Sequence, residues 1–496
     1  MAFETQSVNI STKKILGVSE FAVSTKVGID TEKPLKKVLS IKALADTTAS
    51  ENVDTDFTAQ GKTQVDIMYL SENDTLECVT GYAEWQNTTK VVGENLQAKV
   101  TAVEVTIDSA NSTEVDISIL HNMFVEGIYK QQIMPLTDFT EDYVCNYNSV
   151  MLNQINATNT GRFIVAENLE MPTAQKVLNI DACSKITNVY AGIDQVSIEG
   201  VVDVKIFYQT TEGTATLTKS LDYKQEVSCL SALPDNQAYA SVNINSVNAT
   251  LEVGEKTNLV LSIGLSAIVD AYTQKEVNLV TDLFSLTYDI NTSTECVNYT
   301  NYNASKHYSD TVVCNVALDA ENVDEIVSLV APTVNVAQYT INNNRLFIEG
   351  VVKATLIYKN NQTEQTESLL VTCPFVSSTD TELTGNLDNL NVGANVSSVK
   401  IRSGKEVEVL LDLSIDVINT TENYFEYVKS VVETQEKQQS GSAITIYITK
   451  QDESLFNVAK ALNVLPETIT SQNEVVDGKF ASGQRIFVYS PLNVEF

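Results

Sequence analysis

Three stretches of the chain, 57–69, 196–208 and 346–358, align without a gap. Each contains a glycine followed eight residues later by a tyrosine, and every second position counted from the glycine is mostly apolar. This alternation predicts a β-strand with one buried face, and the in-phase glycine predicts a bend, a bulge or close packing. The equivalent residues are Gly61, Gly200 and Gly350, and Tyr69, Tyr208 and Tyr358. Such a chain is modular, and modular chains more often bind, scaffold or assemble than catalyse.

The repeat is larger than this strand. A short apolar segment precedes each copy, and a second long alternating strand follows it. The glycine spacing sets a module of roughly 140 to 150 residues, which favours whole domains in succession over a solenoid of small repeats. Many strands with Asn, Asp, Gly and Thr between them predict a β-sandwich or open barrel in each module. We therefore expect a mainly β chain with modules at 1–138, 139–286 and 287–433.

The last part of the chain has a different pattern. Residues 434–442 are polar, lack an apolar period and are predicted to be a linker. Three alternating isoleucines then predict a short strand, Ser454 can cap a helix, and Pro466 suits the first turn of a second helix. Gly483 precedes a final strand. Residues 443–496 are therefore predicted to form a small α+β domain in the order strand, helix, helix, strand.

The charge of the chain excludes some partners. Asp and Glu total 64 and Lys and Arg total 32, so the 496-residue chain carries a net charge of −32. This argues against a nucleic-acid or anionic-membrane partner. Two interpretations remain: the charge provides solubility, or it keeps the protein dispersed until a partner or cations screen it.

The expected location of the protein follows from its cysteines and its N-terminal sequence. The seven cysteines are scattered without a Cys-x-x-Cys pair, which predicts neither a disulfide framework nor a zinc site and suits a reducing compartment. The first residues show neither the basic nor the apolar region of a signal peptide, and no apolar run reaches the roughly 18 residues of a membrane span. We expect a soluble protein of the cytosol.

Catalytic constellations are not evident. The two histidines, His121 and His307, lie in different predicted modules without metal-type spacing, and His121 reads as a core or rim residue. Trp85 has no evident counterpart in the other copies and is expected to pack in a core or interface. No phosphate loop, nucleophile elbow or zinc-protease motif occurs. We therefore expect a protein that is not an enzyme and has no cofactor or metal.

The C-terminal segment resembles a LysM domain, through Ile446-Tyr447-Ile448-Thr449, Asp452 to Ala459, Ile469, Asn473 and Gly483 to Val488. LysM domains generally bind N-acetylglucosamine-containing glycans between the loop before the first helix and the loop after the second. The resemblance implies a groove lined by Asp452, Glu453, Ser454, Leu455, Gln472, Asn473 and Val475. Here Gln-Asp-Glu-Ser replaces the usual Gly-Asp-Thr, which adds a carboxylate at Glu453.

The ligand of this groove has two readings, a peptidoglycan-type glycan or a protein. A glycan site needs neutral hydrogen-bonding groups and close backbone approach. A protein site tolerates charge and uses apolar anchors such as Leu455 and Val475, so we favour a protein partner.

Three β modules followed by a LysM-like domain resemble the SipL-like spore morphogenetic proteins of endospore-forming bacteria, which carry SPOCS-type domains. The resemblance implies a spore-coat protein in the mother-cell cytoplasm at the forespore surface. Its LysM-like domain would dock onto a coat-scaffold ATPase of the SpoIVA type. Two alternatives remain: a peptidoglycan-binding protein, and a subunit of a self-assembling filament or lattice whose edge strands pair.

Overall fold

The computed structural model describes residues 4–15, 21–137, 139–253, 257–316, 318, 323–380, 390–403, 407–438, 444–451 and 453–489. The mainly β fold that the sequence predicts is confirmed, because strands account for most of these residues and the two helices lie near the C-terminus. Neither helix in these ranges is long and apolar enough to cross a membrane.

Three groups of strands follow one another along the chain. The first comprises β1 (Glu4–Thr5), β2 (Val8–Ile15), β3 (Phe21–Asp30), β4 (Leu35–Val53), β5 (Asp56–Ser71), β6 (Leu76–Lys90), β7 (Glu94–Ala110), β8 (Glu114–Ile133) and β9 (Leu136–Thr137). The second comprises β10 (Tyr143–Glu170), β11 (Ala174–Gly192), β12 (Gln195–Thr210), β13 (Gly213–Ser228), β14 (Gln237–Val253) and β15 (Thr257–Ser285). The third comprises β16 (Tyr288–Val316), β17 (Val323–Asn342), β18 (Arg345–Asn360), β19 (Thr366–Asp380), β20 (Leu390–Ser403) and β21 (Val407–Glu436).

The three groups share one topology. Each contains an antiparallel meander of three strands, ordered β4-β5-β6, β11-β12-β13 or β17-β18-β19. The second and third groups also contain a sheet in which the last strand lies between the first and fifth, ordered β10-β15-β14 and β16-β21-β20. In the first group β8 pairs with β7 and with both β2 and β3, which stand where the other groups have one long strand. Apolar side chains from the meander and the second sheet form a common core in each group.

The repeated glycine lies where an aromatic ring and a β-bulge meet. Gly61 pairs with Trp85 on the next strand, and the preceding strand has a register shift beside it. Gly200 with Tyr223, and Gly350 with Phe375, repeat this arrangement. In each case a β-carbon on the glycine would collide with the aromatic ring and with a backbone carbonyl of the bulged strand. The predicted close packing is confirmed, but the bulge lies in the preceding strand and not in the strand of the glycine. The expectation that Trp85 has no counterpart is wrong.

The repeated tyrosines also occupy equivalent positions, each opposite a second bulge in the preceding strand. Tyr69 and Tyr358 are buried as predicted, whereas Tyr208 is only partly buried. His121 is buried, with Thr63 Oγ1 at 2.6 Å from its Nε2 and the Val23 carbonyl oxygen at 3.2 Å from its Nδ1. This confirms its reading as a core histidine.

The three groups of strands pack against one another through shared apolar clusters. One apolar cluster, called the hairpin cluster here, joins equivalent positions of the long strands that pair as β2-β8, β10-β15 and β16-β21. Its members are Val8, Ile10 and Ile133 from the first group, Val150, Leu152, Val277 and Leu279 from the second, and Val297, Tyr299, Phe425 and Tyr427 from the third. The meander cluster likewise joins Leu39, Met68, Leu70, Leu178, Phe207, Val330 and Ile357. Because both clusters draw on all three groups at corresponding positions, the modules form one body with approximate threefold equivalence.

One pair of cysteines is disulfide-bonded, although the sequence predicts no disulfide framework. Cys314 of β16 and Cys373 of β19 form a disulfide bond between the two sheets of the third group. Nothing in the sequence spacing indicates this pair, because its two members meet only when the sheets pack.

Candidate binding surfaces of the C-terminal domain

The C-terminal domain has the predicted order: β22 (Ile444–Ile448), α1 (Leu455–Leu462), α2 (Pro466–Thr470) and β23 (Arg485–Tyr489). Ser454 caps α1 by accepting a hydrogen bond from the Asn457 amide at 3.1 Å. Pro466 begins α2, where a missing amide proton costs nothing, and Ile469 is fully buried. Local sequence signals therefore account for the secondary structure of this domain.

Helix α1 faces the second module. The rings of Phe456 and Phe284 have centroids 5.7 Å apart, and the Lys460 ammonium donates to both carboxylate oxygens of Asp282 at 2.6 and 2.7 Å. Strand β21 continues through Glu436, so the first three residues of the predicted linker 434–442 are strand. The C-terminal domain is thus docked on the three-module body through α1.

The carboxylate of Glu453 is held inside the first predicted loop. Its two oxygens accept hydrogen bonds from the Tyr447 hydroxyl at 2.7 Å and the Lys450 amide at 2.8 Å. The bond to Glu453 raises the pKa of the Tyr447 phenol, with a smaller contribution from burial. Glu453 therefore stabilises the loop itself. Its predicted neighbour Asp452 lies outside the described residues.

The two amides of the second predicted loop are bonded to β23. Asn473 accepts from the Phe487 amide at 2.8 Å and donates to the Phe487 carbonyl at 2.7 Å. Gln472 accepts from the Tyr489 amide at 2.8 Å. These side chains cover the outer edge of β23 as a neighbouring strand would, so the amide oxygen of Gln472 and both polar groups of the Asn473 amide are already engaged.

The two predicted loops lie close together through the segment 478–480. The Leu455 amide donates to the Gly478 carbonyl at 2.9 Å, and the Phe480 amide donates to the Glu453 carbonyl at 3.1 Å. Leu455 and Val475, the predicted apolar anchors, pack on the core of the domain as partly buried residues. Val476 is instead the exposed apolar side chain of this region. The two loops therefore lie close together, but most of their side chains make contacts within the domain itself.

The outer face of the two-stranded sheet is apolar and exposed, a feature that the sequence pattern does not predict. Its members are Ile444, Ile446, Ile448, Phe487 and Tyr489, with exposed fractions from 37 to 63%. Alternation in the sequence shows that the isoleucines share a face, but it does not show which face is buried. The residue that could have indicated this surface is Tyr447. It lies on the other face of the sheet from the isoleucines, and its neighbours on that face include the buried Ile486 and Val488.

A Ser–His–Asp arrangement occurs on the third module, where His307 Nδ1 contacts Asp416 Oδ1 and His307 Nε2 lies 3.5 Å from Ser414 Oγ. Ser414 is buried, and it sits on a central strand whose backbone pairs with β16 and β20. A nucleophile needs substrate access and nearby free amides for an oxyanion. The described residues around Ser414 offer neither, so we assign no chemistry to this arrangement. The described residues also contain no cluster of His, Cys, Asp or Glu able to hold a metal ion.

Comparison with known protein families relates one segment of the chain to a family model. Residues 173–252 match the family model described as SipL, SPOCS domain. The matched segment covers β11, β12, β13 and nearly all of β14. No curated protein and no solved structure matches the chain. The match therefore relates the second module of this chain to the SipL family of sporulation proteins.

Proposed function

We propose that the protein is a non-enzymatic morphogenetic component of the spore envelope, located in the mother cell at the forespore surface. One observation carries this proposal: the family match falls on one of three modules that share strand order, bulges and the glycine–aromatic pair. Because the other two modules repeat these features in register, the relationship found for the second extends to the first and third. On this reading all three modules are SPOCS-type domains.

The architecture supports a structural role. The hairpin and meander clusters join the three modules into a single body, and the C-terminal domain is docked on that body through α1. A rigid body that presents one small accessory domain is suited to positioning partners relative to one another.

In this proposal the LysM-like domain binds a protein, namely a coat-scaffold protein such as a SpoIVA-type ATPase, rather than a glycan. The amide oxygen of Gln472 and the amide of Asn473 are bonded to β23, and the carboxylate of Glu453 is bonded within its loop. A glycan groove would need such groups free. The exposed apolar side chains of the domain favour a protein partner.

A fluorescent fusion tests the proposal during sporulation. The full chain should form a ring around the forespore, and the chain lacking 443–496 should be diffuse or much fainter there. A diffuse full-length fusion would reject a role in the spore envelope. A normal ring from the truncated chain would instead reject the docking role of the C-terminal domain and leave the envelope assignment intact.

A further inference from the structure

The two edges of the C-terminal sheet differ, because side chains cover the backbone groups of only one of them in the described residues. On β23, both the amide and the carbonyl of Phe487 are bonded to the side chain of Asn473, and the Tyr489 amide is bonded to Gln472. These backbone groups therefore point away from β22. Side chains that imitate a neighbouring strand protect this edge from pairing with another chain.

The register of the sheet fixes the direction of the backbone groups on β22. Ile446 lies directly opposite Phe487, and Ile444 lies opposite Tyr489. In an antiparallel pair, two opposite residues point their amides and carbonyls either both toward each other or both away. Since those of Phe487 point away, those of Ile446 also point away, toward the open edge of β22. The same alternation applies to Ile444 and Ile448.

The open edge of β22 carries an apolar row of side chains. Ile444, Ile446 and Ile448 are 56, 58 and 63% exposed, and among the described residues no backbone partner pairs with this edge. At one end of the row Arg485 lies opposite Ile448, and its guanidinium makes no ion pair with a described residue. The edge thus offers three outward peptide groups and three isoleucine side chains, and the cation of Arg485 lies on the strand behind it.

We propose that β22 accepts an extended strand of a partner protein, which pairs with the backbone of Ile444, Ile446 and Ile448 by β-augmentation. The strand has apolar residues at alternate positions, to lie beside the isoleucines, and a carboxylate at the Arg485 end. This proposal rests on the proposed function, in which the domain docks a protein. A second copy of this chain is the poorer occupant, because each copy carries a net charge of −32.

The test measures binding of a labelled peptide, Glu-Thr-Val-Thr-Val-Thr-Val-Lys, to the full chain by fluorescence anisotropy. The control peptide carries N-methyl groups on its valines, which keep the side chains but remove the amides that would pair with β22. Ile446→Pro removes the outward amide without removing a bond to β23, and Ile446→Lys keeps the backbone but places a charge on the row. Leu465→Lys, at another exposed apolar position of the same domain, is the matched control protein.

The peptide is expected to bind the wild type and Leu465→Lys equally, and both Ile446 variants at least about tenfold more weakly. N-methylation should weaken binding by a similar factor. Absence of binding, equal binding of the N-methylated peptide, or equal binding by a folded Ile446→Lys chain would overturn the proposal. So would a concentration-dependent dimer that Ile446→Pro abolishes, because the edge would then belong to a second copy. A forespore ring that persists in these variants, but not in the chain lacking 443–496, would reject this edge alone and leave the proposed function standing.

Discussion

Lys13 of the first module donates hydrogen bonds to both carboxylate oxygens of Asp270 in the second module, each at 2.8 Å. Glu126 approaches the same ammonium at 2.9 Å, and the Thr158 hydroxyl donates to Asp270 at 2.6 Å. Only 12% of the Lys13 side chain and 3% of the Asp270 side chain are exposed. A buried ion pair that crosses from one module to the next fixes their relative position, which agrees with the common apolar clusters.

Replacing Lys13 with Met should destabilise the protein strongly. The substitution leaves Asp270 and Glu126 facing each other without their cation, and removing one partner of a buried pair costs about 3 to 5 kcal/mol. The free energy of unfolding in urea measures the effect. The matched control is Lys130→Met, which breaks a pair with Glu94 that is half exposed and should cost less than about 1 kcal/mol. Similar losses in the two variants would contradict a special role for the Lys13 pair.

As pH rises from neutral, the stability that Lys13 provides should be lost only in the alkaline range. Burial lowers the pKa of Lys13, but Asp270 and Glu126 together outweigh burial, and the pKa lies above its ordinary value of 10.5. A lysine pKa raised by folding contributes stability that is complete below the unfolded value and is lost as pH rises through the folded value. The stability difference between wild type and Lys13→Met should therefore begin to shrink only above pH 10.5. If this stability difference disappeared near neutral pH, a group other than Lys13 would be responsible for it.

Gly350 should not tolerate alanine. A β-carbon there would lie 2.5 Å from the Asn335 carbonyl oxygen and 2.7 Å from the Phe375 ring, so the bulged strand would have to move. Overpacking of this kind costs about 1 to 3 kcal/mol. Gly393→Ala is the control in the same module, because no atom lies within 4 Å of a β-carbon at that position. Thermal unfolding of both variants tests the explanation, which equal melting temperatures would refute.

Tyr69 and Tyr208 should differ in their contribution to stability although they are equivalent in the repeat. Tyr69 is fully buried and its hydroxyl accepts a hydrogen bond from the Lys33 amide at 3.1 Å, so Tyr69→Ser should cost about 3 to 5 kcal/mol. Tyr208 keeps part of its ring in water, so Tyr208→Ser should cost about 1 to 2 kcal/mol. Denaturant unfolding of the two variants gives the comparison. A larger loss at Tyr208 would show that burial does not set the order.

The repeated strand could be predicted because its determinants are local. The glycine and tyrosine keep a fixed spacing within one strand, and the close packing that the in-phase glycine predicted is present in all three copies. The aromatic partners of the glycines could not be found by spacing. They lie on the next strand, and the loops before that strand differ in length, at 72–75, 211–212 and 361–365. Their identity also changes among Trp85, Tyr223 and Phe375, so only cross-strand pairing reveals the equivalence.

The association of the modules could not be predicted from periodicity. Met68, Phe207 and Ile357 occupy the phase opposite to the buried tyrosine in their strands, a phase that alternation assigns to solvent. They are buried because neighbouring modules cover them. In the C-terminal domain the reverse occurs, because Ile444 and its two alternating partners face outward. In both cases the pattern gives the grouping of residues on a face, and long-range packing decides whether water reaches it.

Chitin oligomers should not bind in the predicted groove of the C-terminal domain. The amide oxygen of Gln472 and the amide of Asn473 would have to leave β23 to reach a sugar, and Glu453 would have to release Tyr447 and Lys450. Each exchange would break a hydrogen bond of the fold, at a net cost of about 0.5 to 1.5 kcal/mol per bond. NMR titration of the selectively labelled full chain with chitin oligomers checks this, with Val476 as the reporter because it is the exposed apolar residue beside the groove. Shifts confined to 451–455 and 472–476 at micromolar to low-millimolar ligand would show that the domain binds glycan, and that a peptidoglycan-type ligand is its target.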